Sequence, residues 1–278
     1  MPQKPQKWPD CNDAVRDYLN HFVTLLAASL GNNLTGVYLH GSLAMGCYYP
    51  PKSDMDVIAV SKHPLDAVFA EELLYSIALF SKERPTVGDI EFSLITADIA
   101  KTMPNPMPYE LHYSAYWHDR ILRREVAYTQ NQFDSDLFAH LLCLKQRGVC
   151  LCGAPVDDAF GMVRWDDFLY AVLDDLDWVW GDENILDSPY YCILNACRAL
   201  QLLVGGETRV RSKEEGALWG LSFFPAIFTP IILQALAVYR SAAPITEANR
   251  KRGGIVWDDA ALLAFRDYAR GCLSASRQ

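Results

Sequence analysis

The chain has no CxxC pair among its eight cysteines, no unbroken apolar run long enough to cross a bilayer, no GxxxxGK[ST] or GxGxxG loop, and fewer cations than anions. Without paired spacing, Cys11, Cys47, Cys143, Cys150, Cys152, Cys192, Cys197 and Cys272 read as reduced core residues of a cytoplasmic protein rather than disulfide partners. The opening "MPQKPQKWPDCNDAV" lacks the apolar h-region of a signal peptide. The most membrane-like stretch, residues 217–239, is interrupted by Gly220, Pro225 and Pro230, which leaves a buried helix after a Pro-rich turn as its reading. The missing glycine loops exclude a P-loop and a dinucleotide fold. With 25 basic against 34 acidic side chains, a net charge of -9 disfavours nucleic acid as a partner and favours cationic ligands. No repeat at solenoid or propeller period is present, nor any low-complexity segment.

What is present suits one large domain or two ordinary ones, since 51% of the 278 residues are hydrophobic. Asp10 or Asn12 can cap a helix carrying Val15, Tyr18, Leu19, Phe22, Leu25 and Leu26 at helical spacing, ending near Gly31. A strand over 34–39 follows, then a loop after Gly41-Ser42, a strand "MDVIAV", a helix over 65–80 and a third strand "DIEFSLIT". This order describes a small α/β sheet domain. "PNPMPYELHYSAYWHDRIL" reads as a link, and from Asp136 onward "DLFAHLLCLKQRGVCL", "DDFLYAVLDDLDWVW", "YYCILNACRALQLLV", "PIILQALAVYR" and "DDAALLAFRDYARGCL" all read as helices.

In "GVYLHGSLAMGCYYPPKSDMDVIAV", residues 36–60, alternation places Asp54 and Asp56 on one face of an otherwise buried strand. Glu91 alternates in the same way between Ile90 and Phe92, so pairing the two strands brings three carboxylates onto one surface. Clustered anions raise one another's pKa unless a cation sits among them, and magnesium, a hard ion completed by substrate phosphates, is the economical choice. Gly41 lets backbone N–H groups approach a phosphate, and Ser42 and Ser53 can add hydroxyls. Together these parts point to a nucleoside-triphosphate site. By residue type alone, His40 fills space at a strand end, His112 and His118 lack metal-ligand companions, and Trp178 and Trp180 are more often core aromatics than ligand platforms, although "DDLDWVWGDE" is acidic for a packed helix end.

The Gly-Ser pair, the eleven-residue loop 43–53 and the Asp-apolar-Asp strand resemble the nucleotidyltransferase superfamily. "IEFSLIT", "YELHYSAYW" and "ILNACRALQLLVGGETRVRSKEEGALWGL" extend the resemblance to the aminoglycoside adenylyltransferases that modify streptomycin and spectinomycin, from about residue 14 to residue 270. It implies an α/β N-terminal nucleotidyltransferase domain of polymerase-beta-like fold with a small mixed sheet over residues 1–133, and an all-α helical domain over 134–278 that closes the active-site cleft. It also implies that Asp54 and Asp56 hold Mg2+ on the phosphates of ATP, that Glu91 accepts the proton of the substrate hydroxyl, and that Gly41, Ser42, Ser53, Asp136, Arg198 and Lys213 approach the nucleotide. Asp134 stands two residues from Asp136 as an alternative. Trp117, Trp178, Asp182 and Asp187, with Glu91, correspond to the grip on the drug, although two extra residues around "GGETR" and Trp180 depart from the best-known members.

The activity so implied is magnesium-dependent transfer of AMP from ATP to a hydroxyl of an aminoglycoside or aminocyclitol, with release of pyrophosphate and antibiotic resistance as the outcome. Alternatives are another acceptor, such as a lincosamide or a protein hydroxyl, or a nucleotide-binding sensor without turnover. The partner expected is a small cationic antibiotic, with neither nucleic acid nor membrane, and the chain is expected to act as a monomer.

Overall fold

The structure, a computed structural model, describes residues 3–126, 132–243, 246, 249 and 251–276. The chain divides into two compact units, one of Gln6–Ala171 and one of Val172–Gln278 with Met1–Pro5.

The first unit is built on a five-stranded sheet of order β5-β3-β2-β1-β7, with β1 Leu34–Leu39, β2 Met55–Ser61, β3 Ile90–Thr96, β5 Leu111–Tyr113 and β7 Val149–Gly153. A separate two-stranded ladder joins β4 Pro108–Tyr109 to β6 Gln132–Phe133. The sheet is mixed: β2 and β3 run parallel, while β1 with β2, β1 with β7 and β3 with β5 are antiparallel.

Val57, Ile58, Ala59 and Val60 are all buried, so both faces of the sheet centre are covered. Val37, Leu39, Val57, Ala59, Phe92 and Leu94 face helices α1 (Asp13–Leu30) and α3 (Ala67–Phe80). The side chain of Asn12 caps α1 by accepting from the Val15 N–H at 2.8 Å, and Gly31, at φ 51°, ends it. Phe22 meets Phe92 edge-on at 5.2 Å, and Tyr18 stacks on Phe80 at 4.6 Å. Residues of the opposite parity, among them Tyr38, Ile58 and Val60, point to the other face, where Tyr38 packs against Phe160 and donates to the Ala154 carbonyl at 3.0 Å. Asp54, Asp56 and Glu91 share that second parity.

Three sequence expectations change here. The residues after Gly41-Ser42 open as a short helix, α2 (Gly41–Met45), not as loop. After a short helix α4 (Ala97–Thr102), the segment read as a link forms β4, the edge strand β5 and helix α5 (His118–Leu122). The run read as helix from Asp136 is helical only over α6 (Leu137–Arg147); its end is β7, which pairs with β1, so residues 134–171 pack with the sheet rather than with the helices that follow. Short strands of three to five residues next to aromatic or helical runs carry too few alternations to announce themselves.

Helices α7 (Val156–Ala159) and α8 (Trp165–Val179) come next, and the division between the units falls inside α8. In the second unit the elements described after α8 are helical: α9 (Asp182–Asp187), α10 (Pro189–Leu203), α11 (Lys213–Phe223), α12 (Thr229–Tyr239) and α13 (Asp259–Ser276). α10 is its centre, with Ile193, Leu194, Ala196, Cys197 and Leu200 fully buried. α11 lies so close to α10 that a Cβ on Gly216 would overlap the backbone of Arg198. Five cysteines, Cys11, Cys47, Cys143, Cys192 and Cys197, are buried as expected, whereas Cys150 and Cys272 are half-buried and Cys152 is exposed. Among the described residues no helix is long and apolar enough to cross a membrane.

Candidate active site

Asp56 and Glu91 are register partners across the parallel pair β2–β3, on the face opposite α1 and α3. Where β1 turns into α2, Gly41 adopts φ 63°, and a Cβ there would overlap Asp56 Oδ2; the carboxylate lies directly against glycine backbone. The His40 N–H donates to the Asp56 carbonyl at 2.9 Å, which ties the start of α2 to β2. Ser42 Oγ is buried and has no hydrogen-bond partner among the described residues. Ser53, also buried, accepts from the Tyr49 N–H at 3.1 Å, so its hydroxyl holds the loop.

Asp54 sits just before β2 and its Oδ1 accepts from the Asp89 N–H at 2.9 Å. Asp89 is itself buried, held by its own Oδ1 to the Ile90 N–H at 2.7 Å and by Oδ2 from the Tyr113 hydroxyl at 3.3 Å; burial raises its pKa. Sequence reading missed Asp89, although its place two residues before Glu91 was the available signal.

Among the described residues no group of three or more His, Cys, Asp or Glu side chains is gathered to hold a metal on its own. The three carboxylates share a face, but Asp54 is turned toward the Asp89 amide. Two aspartates still form a hard oxygen donor set of the kind that magnesium accepts when phosphate oxygens complete its shell. The orphaned Ser42 hydroxyl and the glycine backbone at Gly41, against which Asp56 lies, fit a phosphate bound beside that carboxylate.

Helix α6 supplies a residue that sequence reading did not single out. His140 lies one turn from Asp136, with Nε2 3.3 Å from Asp136 Oδ2 and 4.0 Å from Glu91 Oε1. Its ring stands 4.9 Å from that of His40. Burial pulls the pKa of His140 down, but Asp136, Glu91, Asp56 and Asp134 outweigh it and raise the value to about 9. Burial, with His140 beside it, holds His40 well below the usual imidazole range. The two rings, tilted by 38° to one another, are therefore shifted in opposite directions. The signal in the sequence was the spacing of Asp136 and His140, four apart on a helix. Asp134 serves a different purpose, accepting from the Asp136 N–H at 2.9 Å, so the two acids offered as alternatives are distinct in geometry.

His112 and His118 have ordinary partners: Nδ1 of His112 lies 3.1 Å from Ser93 Oγ, and Nδ1 of His118 lies 2.9 Å from the Tyr113 hydroxyl. Trp117 is half-buried against the core and covered by the Arg120 guanidinium at 4.8 Å from its ring.

The helical unit gathers its own candidates. Ser212 and Glu215 form a reciprocal capping box, which makes Lys213 the first residue of α11. Lys213 Nζ lies 4.4 Å over the ring of Tyr191, and Trp178 meets the same ring edge-on at 5.9 Å. Trp178 is 47% exposed whereas Trp180 is buried, so only the second is a core residue. The two carboxylates expected to meet a drug are engaged by cations of this chain: Asp182 by Arg266, and Asp187 by Lys251 at 2.9 Å.

The first unit therefore sets two paired acids on a mixed sheet beside a glycine-serine turn. Residues 158–256 match the family described as aminoglycoside adenylyltransferase, C-terminal domain. Over 235 residues the chain is 23% identical to aminoglycoside (3'') (9) adenylyltransferase of Klebsiella pneumoniae, covering 81% of this chain and 85% of the relative. Spectinomycin 9-adenylyltransferase of Enterococcus faecalis is 24% identical over 195 residues, 69% of this chain and 74% of the relative. A crystal structure of spectinomycin adenyltransferase AAD(9) from Enterococcus, with ATP and spectinomycin, superimposes with a TM-score of 0.74 at 21% identity, covering 94% of this chain and 99% of that one. The fold is that of this structure, an α/β nucleotidyltransferase domain joined to a helical one. Over most of its length the chain is similar to aminoglycoside adenylyltransferases.

Proposed function

We propose that the protein transfers AMP from ATP to a hydroxyl of an aminoglycoside or aminocyclitol antibiotic, releasing pyrophosphate and conferring resistance. The observation that carries this reading is the side-by-side placement of Asp56 and Glu91 on β2 and β3, next to the bare backbone of Gly41 and the unpartnered Ser42 hydroxyl. Relatives named for this activity, one of them crystallised with ATP and spectinomycin, support it.

Magnesium held by Asp54 and Asp56 would neutralise charge on the phosphates during in-line displacement. Glu91 takes the proton of the acceptor hydroxyl as its oxygen bonds to the α-phosphorus and the bond to the bridging oxygen of the β-phosphate breaks. Gly41 and Ser42 receive phosphate oxygens, Ser53 adds a hydroxyl, and Asp136 takes a nucleotide contact. Arg198 and Lys213 are the cations assigned to the phosphates. Trp117, Trp178, Asp182, Asp187 and Glu91 are assigned to the acceptor, whose positive charge suits an acidic surface.

The direct test supplies ATP and magnesium with spectinomycin, streptomycin, hygromycin or lincomycin, and follows pyrophosphate together with the mass of the acceptor. Gain of one AMP by spectinomycin or streptomycin is the expected result. Modification of lincomycin alone would move the acceptor class, and ATP binding with no release from any acceptor would replace catalysis by sensing.

A further inference from the structure

His140 is an imidazole that α6 places between Asp136 of its own helix and Glu91 of the sheet. Its Nε2 reaches Asp136 Oδ2 at 3.3 Å on its own helix and Glu91 Oε1 at 4.0 Å across from it. The other side of its ring is filled by His40, which is 4% exposed and precedes the Gly41-Ser42 pair. An ordinary surface pair four apart on a helix would reach only Asp136. The approach to Glu91 depends on the sheet, because Glu91 shares the strand face that carries Asp56.

At 4.0 Å the contact with Glu91 is electrostatic rather than a hydrogen bond, and catalytic contacts of this kind shorten when substrate is bound. A glutamate side chain can adopt several rotamers, and a fixed N–H donor beside its carboxylate selects one.

We infer that His140 is the positioning residue of Glu91, held by Asp136 on its helix and by the His40 ring behind it, so that the Glu91 carboxylate faces the acceptor hydroxyl. This rests on the proposed nucleotidyl transfer. His140 touches neither nucleotide nor acceptor in this role and acts through Glu91. Asp136 consequently has two tasks, a nucleotide contact and the support of the imidazole.

The test compares His140→Phe, which keeps a ring against His40, with His140→Gln, which keeps an N–H donor, each alone and combined with Glu91→Gln. His140→Phe should lower kcat by roughly 10- to 100-fold, the usual range for losing a group that orients a site residue. KM for ATP should move by less than about threefold, because binding is not what His140 serves. His140→Gln should recover most of the turnover. In the Glu91→Gln background the His140→Phe change should have little further effect, as expected for two residues that act as one unit.

Turnover of His140→Phe within about twofold of wild type, equal losses in both His140 variants, or an undiminished loss in the Glu91→Gln background would each overturn the role. If His140→Phe does not fold, His140→Ala takes its place in the cycle with Glu91→Gln. Should the wild-type protein transfer no AMP to any acceptor, the functional reading fails by itself. In that case the imidazole NMR signal of His140 still decides the pairing: a displacement in Glu91→Gln supports it, and an unmoved signal overturns it.

Discussion

The Asp56 carboxylate occupies the space that a side chain on Gly41 would fill. Gly41→Ala therefore faces two obstacles, a left-handed φ of 63° and a collision with Oδ2. The backbone cost is roughly 1–2 kcal/mol of stability, but the larger effect should fall on binding, since Asp56 must move. Calorimetric titration with ATP and magnesium is expected to show weaker affinity in Gly41→Ala, while a change such as Gly254→Ala, at φ 69° with open space around it, should cost stability alone. Unchanged ATP affinity in Gly41→Ala would remove the phosphate cradle.

Glu91 and Asp56 face one another across β2 and β3, yet their substitutions should separate cleanly. Glu91→Gln should leave nucleotide binding largely intact and cut turnover by roughly 100-fold or more, as for loss of a general base. Asp56→Asn should weaken binding of the metal nucleotide itself. Near-normal turnover of Glu91→Gln, or unaltered ATP affinity of Asp56→Asn in magnesium, would contradict the respective assignment.

Those acids were legible in the sequence because strand alternation is a local rule. Asp54, Asp56 and Glu91 alternate with buried residues, and Leu34–Leu39 and Ile90–Thr96 announce themselves by apolar content. β5 and β7 were not legible, since pairing partners far away in the chain decide them: β7 becomes a strand by bonding to β1. His140 was hidden for a related reason. Its distance to Asp136 follows from helix geometry, but its distance to Glu91 exists only once α6 lies over the second face of the sheet. The engagement of Asp182 and Asp187 by Arg266 and Lys251 was equally out of reach, because 84 and 64 residues separate the respective partners.

Lys251 offers a test of the acceptor assignment. Its ammonium lies 2.9 Å from Asp187, both are well exposed, and a cationic drug would have to displace it. An exposed pair of this kind is worth at most about 1 kcal/mol. Lys251→Ala is accordingly expected to lower KM for a cationic acceptor by roughly two- to fivefold with kcat preserved. Steady-state kinetics at low and high salt would check it, the gain shrinking as salt screens the site. An unchanged KM would mean that Asp187 does not meet the acceptor.

The two adjacent imidazoles of His40 and His140 predict an opposed pH dependence of stability in the metal-free protein. His140, faced by His40, Asp56, Glu91, Asp134 and Asp136, has its pKa raised to about 9 once folded, above its ordinary value of 6.5. The folded state then binds a proton that the unfolded chain has lost, so its contribution is full below pH 6.5 and disappears as pH rises through about 9. His40 is shifted in the other direction by burial and by His140, so its contribution is present above its ordinary pKa and is lost as pH falls below it. Above pH 6.5, where His40 is neutral in either protein, the difference between wild type and His140→Phe in urea unfolding isolates the first effect. The advantage of wild type should be greatest near pH 6.5 and should shrink steadily toward pH 9.5, about half a unit beyond the folded pKa. An advantage that stays constant over that interval would mean that the His140 proton is not held by the surrounding acids.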